Sequence, residues 1–165
     1  MIQIEKCTEK HFSSIRAIAE EVWPVAYSAI LSGPQLAYMM DMMYSNPSLQ
    51  KQVDEKQHHF IIAKENEEPL GFASFEFNYE GTRTTKIHKL YIYTHHQGKG
   101  IGKQLIDYVS SEAKNAQQNT VSLNVNRNNS ALNFYQRLGF TIVKEEDIPI
   151  GNGYLMEDYV IEKPI

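Results

Sequence analysis

Residues 91–109 read YIYTHHQGKGIGKQLIDYV, with glycine at 98, 100 and 102 between a strand-patterned run and a helix-patterned one. This stretch most constrains the fold. A strand that turns at once into a helix with the apolar stripe Ile101, Leu105, Tyr108, Val109 and Ala113 places that helix against a sheet, the layered arrangement of an α/β domain. A turn usually needs one glycine, so three imply that the backbone itself approaches a ligand. Successive N–H groups and the positive end of the following helix would then converge on an anion, with Lys99 and Lys103 at the rim. Two familiar phosphate loops fail here. A Walker A loop needs glycine where Gln97 stands and Ser or Thr where Gln104 stands. A dinucleotide fingerprint ends on Lys103 or Leu105 instead of glycine.

The rest of the chain alternates between the two periods. Residues 2–7 alternate as a first strand. Phe12, Ile15, Ile18, Ala19 and Val22 mark a helix with Thr8 as its N-cap and Pro24 as its stop. A second helix begins near Pro34, and a short third follows Pro47. Strands over HHFIIAKE and LGFASFEFNY are joined by the polar loop ENEEP, and TKIHKLYIY is the fourth strand. After the glycine turn come a helix to about Ala116, the strand TVSLNV, a helix over about 129–138, the strand FTIVKEE, a GNG turn and the last strand YLMEDYVIE. No repeat or linker interrupts this, so residues 1–165 read as a single α/β domain.

Bulk numbers exclude several classes. The 165 residues are 42% hydrophobic and 22% charged with a formal net charge of -4, which argues for a globular protein and against a nucleic-acid-binding surface. One cysteine, Cys7, excludes an intrachain disulfide and a multi-cysteine zinc site. Its place on the first strand suggests a buried thiol. The adjacent pairs His58–His59 and His95–His96 point to opposite faces if extended, so no metal site is expected. The start lacks the apolar core of a signal peptide and no run reaches the ~18 apolar residues of a membrane span. The expectation is a cytoplasmic protein with no membrane partner.

A second constellation, NVNRNNSALNFYQRLGF, lies between 124 and 140. With the glycine turn it resembles the GNAT superfamily of acyl-CoA-dependent N-acyltransferases. That family's [QR]-x-x-G-x-[GA] motif is matched by Gln97, Gly100 and Gly102. Its N-x-x-A-x-x-x-Y-x-x-x-G-F motif is matched by Asn128, Ala131, Tyr135, Gly139 and Phe140. The resemblance is clear over 57–143 and weaker before that. It implies a central, mixed but mostly antiparallel sheet of six to seven strands with about four flanking helices. A V-shaped splay would separate the fourth and fifth strands.

The resemblance also implies roles. Amides of Gly98, Lys99, Gly100, Ile101, Gly102 and Lys103, with Gln97, would hold the pyrophosphate of acetyl-CoA as cosubstrate. The backbone of Leu90, Tyr91 and Ile92 would pair with its pantetheine arm. The Ile92 N–H would polarise the thioester carbonyl, a donor aimed at developing charge. Asn128 matches the family's cofactor contact, though asparagine there also suits a helix N-cap. Tyr135 matches the tyrosine that protonates the departing thiolate, though a packed core tyrosine fits the same spacing. The family often has a glutamate where this chain has His88. Histidine titrates near pH ~6.5 and can accept a proton, and alternation puts His88 on the face of Leu90 and Ile92. Glu76, Glu80 or a water chain are the alternatives.

The acceptor side would carry Trp23, Tyr27, Tyr38, Tyr44, Glu76, Tyr79, Glu80, Glu145, Glu146, Asp147, Glu157 and Asp158, an aromatic and acidic set suited to a cationic small-molecule amine such as a polyamine. The leading expectation is direct acetyl transfer to a primary amine. A lysine or N-terminal amine of a protein is an alternative acceptor, and a non-catalytic acyl-CoA-binding module a rival function. The last strand is expected to offer an exposed edge through which a homodimer can form, as in relatives.

Overall fold

The structure, a computed structural model, describes residues 1–29 and 31–165. Seven strands form one sheet: β1 (Gln3–Lys6), β2 (His59–Glu65), β3 (Glu68–Glu76), β4 (Thr84–Ile92), β5 (Thr120–Asn126), β6 (Thr141–Gly151) and β7 (Tyr154–Pro164). Their spatial order is β1-β2-β3-β4-β5-β7-β6. Only β4 and β5 run parallel; every other neighbouring pair is antiparallel. The helices are α1 (Phe12–Tyr27), α2 (Gly33–Tyr44), α3 (Asn46–Asp54), α4 (Ile101–Asn115) and α5 (Ala131–Arg137). The implied mixed sheet is therefore present, with one helix more than expected.

Helices cover both faces. On one, Ile101, Leu105, Ile106 and Val109 of α4 and Tyr135 of α5 pack against Ile61, Ala73, Phe75, Ile87, Leu123 and Ile161. On the other, Ile15, Ile18, Trp23, Met39 and Leu49 of α1–α3 pack against Phe60, Ile62 and Phe72. This explains why residues 60–63 of β2 are apolar without alternation: a central strand covered on both faces has no wet side. Each large aliphatic side chain so buried contributes roughly 1.5–3 kcal/mol.

Four local features depart from the sequence reading. Pro24 does not stop α1, which continues to Tyr27 with the Ser28 N–H donating to the Pro24 carbonyl at 3.1 Å. Proline removes one helical bond, but Trp23 and Tyr27 are 2% and 9% exposed, and their burial offsets it. Thr8 caps a 3-10 turn over Glu9–His11 that leads into α1. The last strand is no edge: β7 lies between β5 and β6, leaving β6 and β1 outermost. The β2–β3 connection is tighter than the expected loop, since Asn66 and Glu67 both sit at positive φ (51° and 66°), the conformation of a two-residue hairpin.

Candidate active site

The site begins where two parallel strands part. β4 and β5 are paired only from Thr84–Thr120 to Ile87–Leu123, although β4 runs on to Ile92 and β5 to Asn126. On its other side β4 stays paired to β3 up to Gly71–Ile92. The edge of 88–92 that faces β5 therefore has no strand partner, and the implied V-shaped splay is present. Leu90, Tyr91 and Ile92 line this open edge.

Directly after β4 comes the glycine turn, and the glycines differ in kind. Gly98 and Gly100 sit at φ +83° and +79° with open space where a Cβ would project, so conformation demands glycine. Gly102 lies inside α4 at ordinary φ, and a Cβ there would come within 3.2 Å of both Ile92 Cδ1 and Phe134 Cζ. It is bare so that α4 can begin hard against β4 and α5. The first α4 bond runs from the Gln104 N–H to the Gly100 carbonyl, so the N–H groups of Ile101, Gly102 and Lys103 have no acceptor within the helix. Together with the helix dipole they form an anion site. Gln97 donates its side-chain N–H to the Ile92 carbonyl at 3.2 Å, fixing the turn to the end of β4. Lys99 Nζ is 3.2 Å from His96 Nδ1, and Lys103 Nζ 2.8 Å from Asp107 Oδ2.

β4 carries an irregularity at His88. Lys89 faces Ser74 and Ile87 faces Phe75 across the ladder, which leaves His88 as an extra residue, a bulge. The sequence expectation that His88 shares a face with Leu90 and Ile92 is thereby corrected. Those two pack on the α4 side with Ile87, whereas His88 turns toward His58, Glu76 and Tyr79. Its Nε2 donates to Glu76 Oε1 at 2.9 Å. The His58 ring stacks on it at 4.0 Å between centroids and 13° between planes, with His58 Nε2 3.5 Å from the same Glu76 oxygen. Burial first pushes both imidazoles down: His58 to about 4, with Lys89, Lys56 and His59 adding to it, and His88 to about 2, with His58 and the nearby lysines adding to it. Burial and Glu80 raise the Glu76 carboxyl. A pocket of about 520 Å³ lined by Glu55, Lys56, Gln57 and these three side chains opens here.

His58 pairs with His88 across the sheet and not with its neighbour His59. His58, Glu76 and His88 bring three ligating atoms within 4.8 Å of one another. Both Nε2 atoms are turned to Glu76 Oε1 itself, at 2.9 Å from His88 and 3.5 Å from His58. Cys7 is half-buried and its thiol pushed up to about 12 by burial, the opposite of an activated nucleophile.

α5 holds the second motif. Tyr135 is 8% exposed, its ring edge-on to Phe140 at 5.9 Å, and burial pushes its phenol well up. It is thus both a core residue and a neutral hydroxyl. Asn128 is exposed and does not cap α5; that contact is made by Asn129, whose Oδ1 accepts from the Ala131 N–H at 2.8 Å. The Asn128 amide donates to Asn126 Oδ1 at 2.9 Å.

The expected acceptor residues divide. Trp23 and Tyr44 are 2% and 1% exposed and belong to the core. In the β6–β7 ladder Glu146 faces Asp158 while Glu145 faces Tyr159 and Asp147 faces Glu157; alternation thus puts only Glu146 and Asp158 of these five acids on the α1 side. There they meet two residues sequence reasoning passed over, Lys86 and Asn124. Lys86 Nζ donates to Asn124 Oδ1 and lies over the Tyr79 ring at 5.2 Å. Asn124 Nδ2 donates to Asp158 Oδ2 at 3.1 Å. Tyr27 hydrogen-bonds Tyr91 through their hydroxyls at 3.1 Å.

Comparison with known proteins agrees with this geometry. The chain is 30% identical over 88 residues to the L-amino acid N-acyltransferase MnaT of Escherichia coli, covering 52% of this chain and 51% of that protein. It is equally identical over 88 residues to the L-methionine sulfoximine/L-methionine sulfone acetyltransferase of Salmonella typhimurium, covering 52% of each. The chain thus spans about half the length of these curated relatives. The fold matches the PaiA N-acetyltransferase of Thermoplasma acidophilum, solved with coenzyme A, at a TM-score of 0.84 and 23% identity over 100% of this chain and 99% of that one. A family model described as an acetyltransferase (GNAT) domain matches residues 30–162. With the splayed strands, the glycine turn and α5 where that family's motifs require them, the chain belongs to the GNAT family of acetyltransferases.

Proposed function

We propose that the protein moves the acetyl group of acetyl-CoA to the primary amine of a small acceptor by direct attack in a ternary complex. The observation that carries this reading is the adjacency of the open β4 edge to three helix-terminal amides without acceptors. An extended amide-bearing arm ending in a pyrophosphate fits an unpaired strand edge followed by an anion site.

In this reading the amides from Gly98 to Lys103 hold the pyrophosphate, with Gln97 bracing the turn. The backbone of Leu90 to Ile92 aligns the arm, Asn128 borders it, and the Ile92 N–H polarises the thioester carbonyl. Most of the rate enhancement then comes from positioning. Tyr135, still protonated at neutral pH, donates to the departing thiolate. His88 takes the proton of the attacking amine on its free ring nitrogen, and the Glu76 carboxylate bonded to its other nitrogen balances the positive charge that the buried imidazole would not hold alone. The carboxylate that the family resemblance implies at position 88 is thus replaced by a histidine backed by a carboxylate from the next strand, which favours an enzyme over a binding module.

The test is release of free thiol from acetyl-CoA against a panel of polyamines, amino acids and short peptides, with CoA titration in parallel. Amine-dependent release is expected. CoA binding without release for any amine would turn the reading toward a binding module, and no CoA binding would overturn it.

A further inference from the structure

The proposed reaction leaves Asp158 unaccounted for. This side chain is 5% exposed. One carboxylate oxygen, Oδ2, accepts from Asn124, but Oδ1 is buried and has no hydrogen-bond donor. A buried carboxylate oxygen without a partner is costly and is ordinarily met by a cation or an N–H. The nearby cations are committed elsewhere. Lys86 is bonded to Asn124 and held over Tyr79. The Arg127 guanidinium reaches Asp147 Oδ1 at 2.6 Å, the Glu146 carbonyl at 3.2 Å and the Asp158 carbonyl at 3.3 Å, touching the backbone of Asp158 and not its carboxylate. Glu146, the cross-strand partner of Asp158, adds a second carboxylate, whose own counter-ion is Lys144 at 2.7 Å. The cluster sits on the sheet face where β4 and β5 have parted, and Tyr79 joins it to the His88 base at 5.8 Å between rings.

The nitrogen that attacks a thioester must be neutral, so a cation held by Asp158 is a different group from the one acetylated. We infer that Asp158 seats a second, non-reacting ammonium, and that the acceptor is a diamine and not an α-amino acid. The inference rests on the acetyl transfer proposed above. An α-amino acid brings a carboxylate, which needs a fixed cation of its own. Lys86 and Arg127 are already engaged, and Asp158 and Glu146 would repel it. The names of the amino-acid-acetylating relatives therefore do not transfer to this acceptor, because specificity is as much rejection as attraction.

The experiment compares 1,4-diaminobutane, 1-aminobutane and leucine as acceptors for the full chain, reading kcat and KM by thiol release. The wild type is expected to prefer the diamine over the monoamine by roughly tenfold or more in kcat/KM, the worth of one charge-assisted contact in a partly desolvated site. The Asp158→Asn variant should lose that preference through KM, and Asp158→Glu should keep most of it. Equal kcat/KM for diamine and monoamine in the wild type, or a preference for leucine, overturns the inference, and neither outcome depends on a variant folding. Should no amine be acetylated, the proposed function fails by itself. Calorimetric titration of 1,4-diaminobutane into the CoA-saturated protein then decides about Asp158: heat present in the wild type and absent in Asp158→Asn supports it, and no heat in the wild type refutes it.

Discussion

His58 and His88 lie ring on ring, 4.0 Å apart and within 13° of parallel, and point their Nε2 atoms at one oxygen of Glu76. Two imidazoles in this arrangement cannot both be charged, and burial holds each of them neutral at pH 7.

That arrangement makes stability depend on pH with a definite sign. In the unfolded chain a histidine takes up its proton near pH ~6.5. The folded chain refuses the proton at His58 until about pH 4. Between these values the unfolded state binds more protons, so stability is full above ~6.5 and falls on acidification, by about 1.4 kcal/mol per pH unit for one such group. Urea denaturation at pH 7.5 and 5.5 should show a larger loss for the wild type than for His58→Phe, with a difference of about 1 kcal/mol. Equal losses would show that His58 is not held neutral.

Lys89 runs the same linkage at the other end of the scale. It is 5% exposed, bonded to Gln52 Oε1, and packed over Phe60 and Tyr44 at 5.5 and 5.7 Å. Burial, then Lys56, pulls its amine down to about 7. An unfolded lysine releases its proton near ~10.4, so between those values the unfolded state again binds the extra proton and stability rises with pH. From pH 7 to pH 9 the wild type should gain about 2 kcal/mol relative to Lys89→Met. Parallel denaturation curves for the two proteins would contradict this.

Two glycine substitutions should fail for different reasons. At Gly71 a Cβ would lie 2.7 Å from the Tyr91 carbonyl oxygen and 3.1 Å from Ile92 Cα, so alanine must push β3 from β4. A loss of about 2 kcal/mol is expected. At Gly100 there is room, but φ is +79°, and alanine should cost about 1 kcal/mol while weakening CoA binding as the turn relaxes. Thermal melts with and without CoA distinguish the two: Gly71→Ala lowers the melting temperature most, and Gly100→Ala loses more of the ligand-induced rise.

Removing the Tyr135 hydroxyl tests the acid. Phenylalanine keeps the ring against Phe140, so the fold and CoA affinity should persist while kcat drops about 100-fold. Unchanged turnover would leave Tyr135 with packing alone.

Much of the fold was legible because its signals are local. The seven strands, α4 and the glycine turn follow from period and turn chemistry over a few residues. The cluster at the site was not, because His58, Glu76 and His88 are drawn together by pairing between strands. Alternation counted straight through β4 gave the wrong face to His88, since nothing in IHKLYI announces an extra residue. Pro24 misled in the other direction: a strong local rule was overridden by the burial of Trp23 and Tyr27. Lys86 and Asn124 were passed over because a polar residue on a strand carries no mark of which neighbour it will meet. Asn128 and Asn129 could be told apart as the cap only once the turn before α5 was seen.

The bulge has one further consequence. With residue 88 excised, Ile87 would still face Phe75 and Lys89 would still face Ser74, and in–out alternation from Lys86 to Ile92 would become regular. By the requirements of the sheet alone, His88 is surplus. A shorter β4 would be the more orderly strand and would pair with β3 without interruption, yet it would present no imidazole to Glu76. In the proposed reaction the base is therefore specified by the length of β4 as much as by the type of residue at position 88.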